Sequence, residues 1–357
     1  MNQRDNALAV LRKQKPEWVP ISVSLCPSQL DELERRTGTR DALEFFQVPF
    51  RNIRINPSRS KVDFSRYFDA LPPNASPHKL FPDWGVYTTP GSVQHFVELI
   101  SPMENFESIE QINEYPFPDL SESYRWEGVK EQVEELKNKG FVATAEMQMT
   151  LFEISWHLRG LEKFLMDMLL EPEFALTLLD KVTDIRVKMA ECYARAGVDL
   201  IQLGDDVSTQ LDMMMSPQTW RDFLKPRLQK VIMAAKSVNP DVLVFYHGDG
   251  NLSCIIPDLI EVGIDILNPL QPECLDPYEV KRLYGDKLSF WGALGTQTTL
   301  PFGSVNDVKT ECKKLIDNIG KGGGFVLAPT HVIEPEVPWE NVMAFVNTVR
   351  EYGPYIP

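Results

Sequence analysis

The feature that most constrains this chain is a repeated alternation of short apolar runs with helical patterns, regular from about residue 123 onward. Apolar runs begin near residues 141, 199, 242, 264, 288 and 324, and each is followed by residues at helical spacing. The stretch 241–271, DVLVFYHGDGNLSCIIPDLIEVGIDILNPLQ, shows one complete unit. Val242, Leu243, Val244, Phe245 and Tyr246 are apolar without alternation, as in a strand buried on both faces. His247-Gly248-Asp249-Gly250 breaks the run. Ile255, Ile256, Leu259 and Ile260 then recur at helical spacing, and Gly263 ends that helix before Ile264 to Leu267 start another strand.

Such alternation predicts parallel strands joined by helical crossovers. With ISVSL near residue 21 as a seventh strand and one more in the irregular stretch, the expectation is an α/β fold, a TIM (β/α)8 barrel with an elaborated N-terminal region. A doubly wound sheet is the alternative, but the glycine-rich phosphate fingerprint expected after its first strand is absent. The 357 residues, 43% of them hydrophobic, fit a single barrel domain over 1–357. An insertion at about 48–120 is rich in Pro, Asn and aromatic residues, too aromatic for disorder, and is expected to cover one end of the barrel. There Trp84 and His95 either pack a lid or touch substrate. Ser28, Ser216 (with Pro217 behind it) and Asp276 are expected to cap helices.

A formal net charge of −15 disfavours nucleic acid and anionic membrane surfaces as partners, because phosphate binding needs a basic face. It also disfavours polyanionic substrates unless the site itself is locally basic. The five cysteines, Cys26, Cys192, Cys254, Cys274 and Cys312, are scattered without a CxxC pair, which reads as reduced thiols in a cytoplasmic protein. The first twenty residues lack the apolar core of a signal peptide, and no run approaches the roughly 18–20 apolar residues of a membrane span.

In parallel α/β folds, ligands and chemistry gather at the carboxyl ends of the strands. The residues expected there are Glu146 and Gln148, Asp205 and Asp206, His247 and Asp249, then Asn268, Gln271 and Glu273, then Trp291, Thr296 and Gln297, and finally Thr330 and His331. His247, Asp249 and His331 form a credible metal triad, two imidazoles and a carboxylate with an open fourth position. The plain alternative is that His247 and Asp249 bond across their loop while His331 caps backbone groups before Pro335. Asp205 and Asp206 either share a raised pKa, making one a general acid, or bind backbone amides in a turn. Glu146 is expected as a ligand, a base or a supporting partner, since a plain core carboxylate would be costly. Gln148, Asn268, Gln271, Trp291 and Thr330 are expected to contact substrate. Met213, Met214 and Met215 suit a pliable apolar wall or loop packing, and His157 suits the core or surface of a helix.

The run IIPDLIEVGIDILNPLQPE, the strand before it ending in His-x-x-Gly, and GGGFVLAPTHVIEPEVPWENV resemble the uroporphyrinogen decarboxylase superfamily, as does the N-terminal RDNALAVLRKQKPEWVP. The superfamily includes cobalamin-dependent methyltransferases. The resemblance implies a TIM barrel with its site at the strand ends. In the true decarboxylase an arginine-rich motif after the first strand grips the substrate's carboxylates, whereas ISVSLCPSQL contains no arginine. In the thiol methyltransferase branch zinc is held by His-x-Cys and a later Cys, and the matching positions here are His247, Asp249 and His331. The resemblance therefore implies zinc or another divalent metal in a harder donor set, suited to polarising an oxygen such as that of a methoxy group. Asp205, Asp206 or Glu146 would protonate the leaving oxygen, and the methyl acceptor would be a corrinoid on a separate protein. A decarboxylase or lyase acting on a small carboxylated substrate is the second expectation, and a non-catalytic ligand-binding or corrinoid-docking barrel the third. A homodimer is compatible with each.

Overall fold

The computed structural model describes residues 1–14, 16–91 and 96–354. His95 lies outside the described residues.

Seven parallel strands form the central sheet: β1 (Phe50–Asn52), β5 (Val142–Glu146), β6 (Leu200–Gly204), β7 (Leu243–His247), β8 (Ile266–Leu270), β9 (Ser289–Leu294) and β10 (Phe325–Pro329), neighbours in that order. Helices between successive strands make the crossovers, the longest being Pro172–Ala196 between β5 and β6. Every residue of β8, β9 and β10 is buried, so their unbroken apolar runs follow from being covered on both faces. The sheet is strongly curled. The Phe50 ring of β1 lies 4.2 Å, centroid to centroid, from Trp291 of β9, although four strands separate them in the ladder order. Trp291 also meets Phe245 of β7 edge-on at 5.2 Å. These rings fill the interior as barrel side chains do.

The expected strand at ISVSL is not a ladder strand. Ile21 and Leu25 make isolated parallel bridges to Leu327 and Ile333, alongside β10. The amide of Ser22 donates to Leu327 O, and Leu327 N donates to Pro20 O. Pro20 lacks an N–H and Pro27 ends the segment, so a long ladder cannot form there. The strand expected in the irregular region is β1. The rest of the insertion holds a three-stranded antiparallel sheet of β2 (Ser76–Pro77), β3 (Tyr87–Pro90) and β4 (Val97–Ile100).

Ser216 caps Pro217–Phe223 by accepting from Thr219 N, and Asp276 caps Pro277–Tyr284 by accepting from Tyr278 N and Glu279 N. Ser28 is not a cap. Helix Pro27–Thr37 starts two residues earlier than a Ser28 cap would set, with Cys26 at the cap position, because Pro27 takes the first helical place. All five cysteines are free thiols. Among the described residues no helix is long and apolar enough to cross a membrane.

The insertion is pinned to the helical layer around the curled sheet through His157, on the helix Phe152–Arg159. Its ring packs against Trp156 at 4.1 Å and against His78 and Phe81 of the insertion at 5.7 and 6.0 Å. Burial, reinforced by His78, pushes the His157 pKa down to about 3. The unfolded chain takes up a proton near the ordinary histidine value, whereas the folded chain refuses it until about 3. This contribution is therefore present above the unfolded value and is lost as pH falls. Urea unfolding at pH 7 and pH 5 should show a loss of about 2 kcal/mol from this residue. His157→Phe should shrink the pH-dependent loss by that amount.

Candidate active site

The ends of β6 and β7 bring four carboxyl groups around one imidazole. β6 finishes at Gly204, whose added Cβ would lie 2.4 Å from His247 O, so only glycine lets the two strand ends approach this closely. Asp205 and Asp206 follow. Asp205 is buried and accepts from Leu151 N at 3.0 Å and Glu153 N at 2.9 Å, so it holds the first turn of the helix Phe152–Arg159. Of the two readings for the Asp205–Asp206 pair, amide binding is the geometry observed for Asp205. Its burial raises its pKa, and the backbone N–H groups and Arg186 pull it back.

Asp206 faces the other way. Its Oδ1 accepts from Asp249 N at 2.8 Å and lies 3.6 Å from His247 Nε2, while its own N–H donates to Glu153 Oε2 at 3.0 Å. Asp249 Oδ1 lies 3.9 Å from His247 Nε2 and is a buried oxygen with no hydrogen-bond partner among the described residues. Ligand atoms of Asp206, His247 and Asp249 all lie within 4.8 Å of one another. The second ring nitrogen of His247 is spent on Asn268: Nδ1 is 2.7 Å from Asn268 Oδ1, and Asn268 Nδ2 donates to Trp291 O at 3.3 Å. The oxygen of Asn268 thus accepts a hydrogen bond from Nδ1–H, leaving Nε2 to face the two carboxylates. Burial lowers the His247 pKa, but Asp249 and Asp206 outweigh it and the net shift is upward. Burial likewise raises Asp249, with Asp206 adding to the shift and the two histidines opposing it.

The loop geometry is exacting. Gly250 sits at φ +92°, and a Cβ there would come within 2.4 Å of Thr209 O. Its N–H donates to Gln271 Oε1 at 3.0 Å.

Part of the expected set divides between two cavities at the strand ends, while Asp205, Asp206, His247, Asn268 and Trp291 are walls of neither. One, of about 560 Å³, is lined by Asp249, Gln271, Thr296, Gln297, Thr330, His331 and neighbours. His331 is half exposed, with Nδ1 4.0 Å from Glu334 Oε1, and it stands outside the close group of ligand atoms. Thr330 is buried, its hydroxyl 3.0 Å from that of Thr296. The other cavity, of about 420 Å³, lies between the insertion and the ends of β1 and β5, and Glu146, Gln148 and Trp84 are among its walls. Glu146 Oε2 accepts from Asn52 Nδ2 at 2.9 Å, and its carboxyl is shifted upward by the surrounding protein. Trp291 lies beneath the mouth, 5% exposed, as part of the packed interior. Met213, Met214 and Met215 lie on a loop, with Met213 bridged to Ser208.

Two residues of this region escaped the reading of strand ends because both lie on helices. Glu153 is buried beside Asp206, and burial and the neighbouring aspartates hold its carboxyl well above the usual range. It stands between Phe152 and Ile154, a lone acid in an apolar turn. Arg186 sits in the buried stripe Leu178, Val182, Met189, Tyr193 of Pro172–Ala196, a charge at an interior helical position. Both signals are visible as charges that break an apolar period.

Replacing Asp205 with Ala should cost about 1–2 kcal/mol, from the lost helix cap and the stranded amides of Leu151 and Glu153. The check is a lower urea midpoint with unchanged slope.

Comparison with known proteins matches this architecture. The family model described as Uroporphyrinogen decarboxylase (URO-D) matches residues 96–352. A methylcobamide:CoM methyltransferase of Methanosarcina barkeri is 32% identical over 174 residues, 49% of this chain and 48% of that protein. A uroporphyrinogen decarboxylase of Chlorobium luteolum is 26% identical over 185 residues, 51% of this chain and 50% of that protein. The chain thus spans about half the length of these curated relatives. The structure of a methyltransferase from Methanosarcina mazei superposes with a TM-score of 0.71 over 99% of both chains at 22% identity, which establishes a shared fold. The match to the family model extends over well beyond half of the sequence, and the chain belongs to the uroporphyrinogen decarboxylase family.

Proposed function

We propose that this protein is a methyltransferase moving a methyl group between a small substrate and a corrinoid carried on a separate protein, with a divalent metal held by Asp206, His247 and Asp249. The observation that carries the metal is the buried, partnerless Oδ1 of Asp249 beside His247 Nε2. A nitrogen and carboxylate oxygens within 4.8 Å, with the histidine oriented from behind by Asn268, fit zinc or a similar ion. His247 and Asp249 belong to the triad expected from sequence. Asp206 supplies the third nearby donor, and His331 faces Asp249 from across the larger cavity.

A metal bound there would supply Lewis acidity to a substrate atom. Asp206 and Asp249 neutralise a divalent ion, and their oxygens make a harder site than thiolates would, which favours an oxygen-bearing substrate such as a methoxy compound. Asn268 fixes the His247 ring, Gln271 fixes the loop through Gly250, and Asp205 anchors the turn beneath. Glu146, its carboxyl shifted upward by burial, stands on the wall of the smaller cavity as a candidate proton donor on the other side of the mouth from Asp249. Gln148 and Thr330 offer polar contacts on the two sides of the mouth, with Trp291 as its floor. We read the curled sheet as a (β/α)8 barrel whose eighth position is taken by 20–26. The name carried by the Methanosarcina barkeri relative supports corrinoid methyl transfer.

A decarboxylase acting on a small carboxylated substrate is the second reading. It is favoured by Arg54, Arg125 and Arg186 on the walls of the smaller cavity.

Purified protein should retain zinc, and His247→Ala and Asp206→Ala should each weaken it by more than roughly tenfold. Methyl transfer, assayed with methylcobalamin and a thiol or with a methoxybenzoate and reduced cobalamin, should fall with it. Absence of zinc binding together with full activity of His247→Ala would sink the metal reading. Release of carbon dioxide without methyl transfer would favour the second.

A further inference from the structure

We propose that the cavity between the insertion and the ends of β1 and β5 binds a small carboxylate with a flat apolar body, its carboxylate held by Arg186 and Tyr193. The inference goes beyond the metal reading and holds for either chemistry.

Arg186 is 3% exposed and lines this cavity. Among the described residues no carboxylate lies within ion-pairing distance of it. Nε donates to Thr150 O at 3.1 Å and Nη2 to Met149 O at 2.9 Å, whereas the hydrogen-bond contact of Nη1 is Met189 Sδ at 3.5 Å, and the guanidinium carbon lies 5.5 Å from the centroid of the Trp84 ring. A guanidinium keeps its charge at neutral pH, and Asp205 offsets that charge only from beyond ion-pairing distance, which leaves a buried cation without a contact ion pair. The charge is positioned, since two of its nitrogens are fixed on main-chain oxygens and the third has no oxygen partner.

A second donor stands beside it. Tyr193, two helical turns further along Pro172–Ala196, is 4% exposed, lines the same cavity, and its hydroxyl has no hydrogen-bond partner among the described residues. A guanidinium nitrogen and a phenol together suit the two oxygens of one carboxylate. The body of the ligand would lie against Trp84, Phe81 and the methionines, which are apolar and adaptable. A volume of about 420 Å³ accommodates a small molecule. At the rim, exposed Arg54 and Lys79 supply positive charge that draws an anion to a protein of net charge −15. The local basicity that the overall charge argued against is present here.

The test is calorimetric titration of the full chain with benzoate, with benzamide as its neutral isostere, and with inorganic phosphate as competitor. Benzoate should bind at least roughly tenfold tighter than benzamide, and phosphate should not displace it. Tyr193→Phe should weaken benzoate severalfold, leave benzamide unchanged and leave zinc retention unchanged. Arg186→Lys, which keeps the charge but loses the fork, should weaken benzoate further. Absent benzoate binding, equal affinity for benzoate and benzamide, displacement by phosphate, or a Tyr193→Phe variant with unchanged benzoate affinity would each overturn the proposal. Zinc retention, read separately, reports on the metal reading alone.

Discussion

The structure around the strand ends depends on an imbalance of charge. Asp205, Asp206, Asp249 and Glu153 converge near His247, and their mutual repulsion is met by few cations. The protein manages it by giving each carboxyl a separate task. Asp205 spends its oxygens on backbone amides, Glu153 accepts from the amide of Asp206, and Asp206 accepts from that of Asp249. Asp249 Oδ1 is the oxygen left over, buried and without a donor. A cluster assembled this way is stable only if a proton or an ion completes it.

The same main-chain contacts tie the cluster to the fold. Gly204 and Gly250 allow backbone approaches that any side chain would prevent, which sets β6 beside β7 and the HGDG loop against Thr209. The insertion, secured by the packing of His157 against His78 and Phe81, covers the other half of the mouth. The mouth is therefore two chambers. One is bounded by the loops after β7 to β10, the other by the loops after β1 and β5 together with the insertion.

Much of this was legible in the chain because strand burial and helix capping are local. The apolar runs near 141, 199, 242, 264, 288 and 324 are all strands, and Ser216 and Asp276 cap as their chemistry requires. The segment at ISVSL looked like a strand because its apolar content is right, but Pro20 and Pro27 shorten what it can pair. Inspecting strand ends found His247, Asp249 and Asp206, whose positions follow from strand direction alone. It passed over Glu153 and Arg186, which reach the mouth from helices, and it could not show that Glu146 and His331 face different chambers. Those facts depend on how the sheet curls, which no local pattern contains.

Met149 lies at φ +54°, a conformation that a side chain disfavours, at the head of the turn that leads into Phe152–Arg159. Arg186 grips that turn at the carbonyls of Met149 and Thr150, and Asp205 grips it at the amides of Leu151 and Glu153. Five residues thus form a bar clamped at both ends, with a cation on one side and an anion on the other. The bar runs from Met149, a wall of the smaller cavity, to the amides that hold Asp205. The guanidinium at the wall of the cavity and the carboxylate beneath the acidic cluster thus share one short stretch of main chain as their mount.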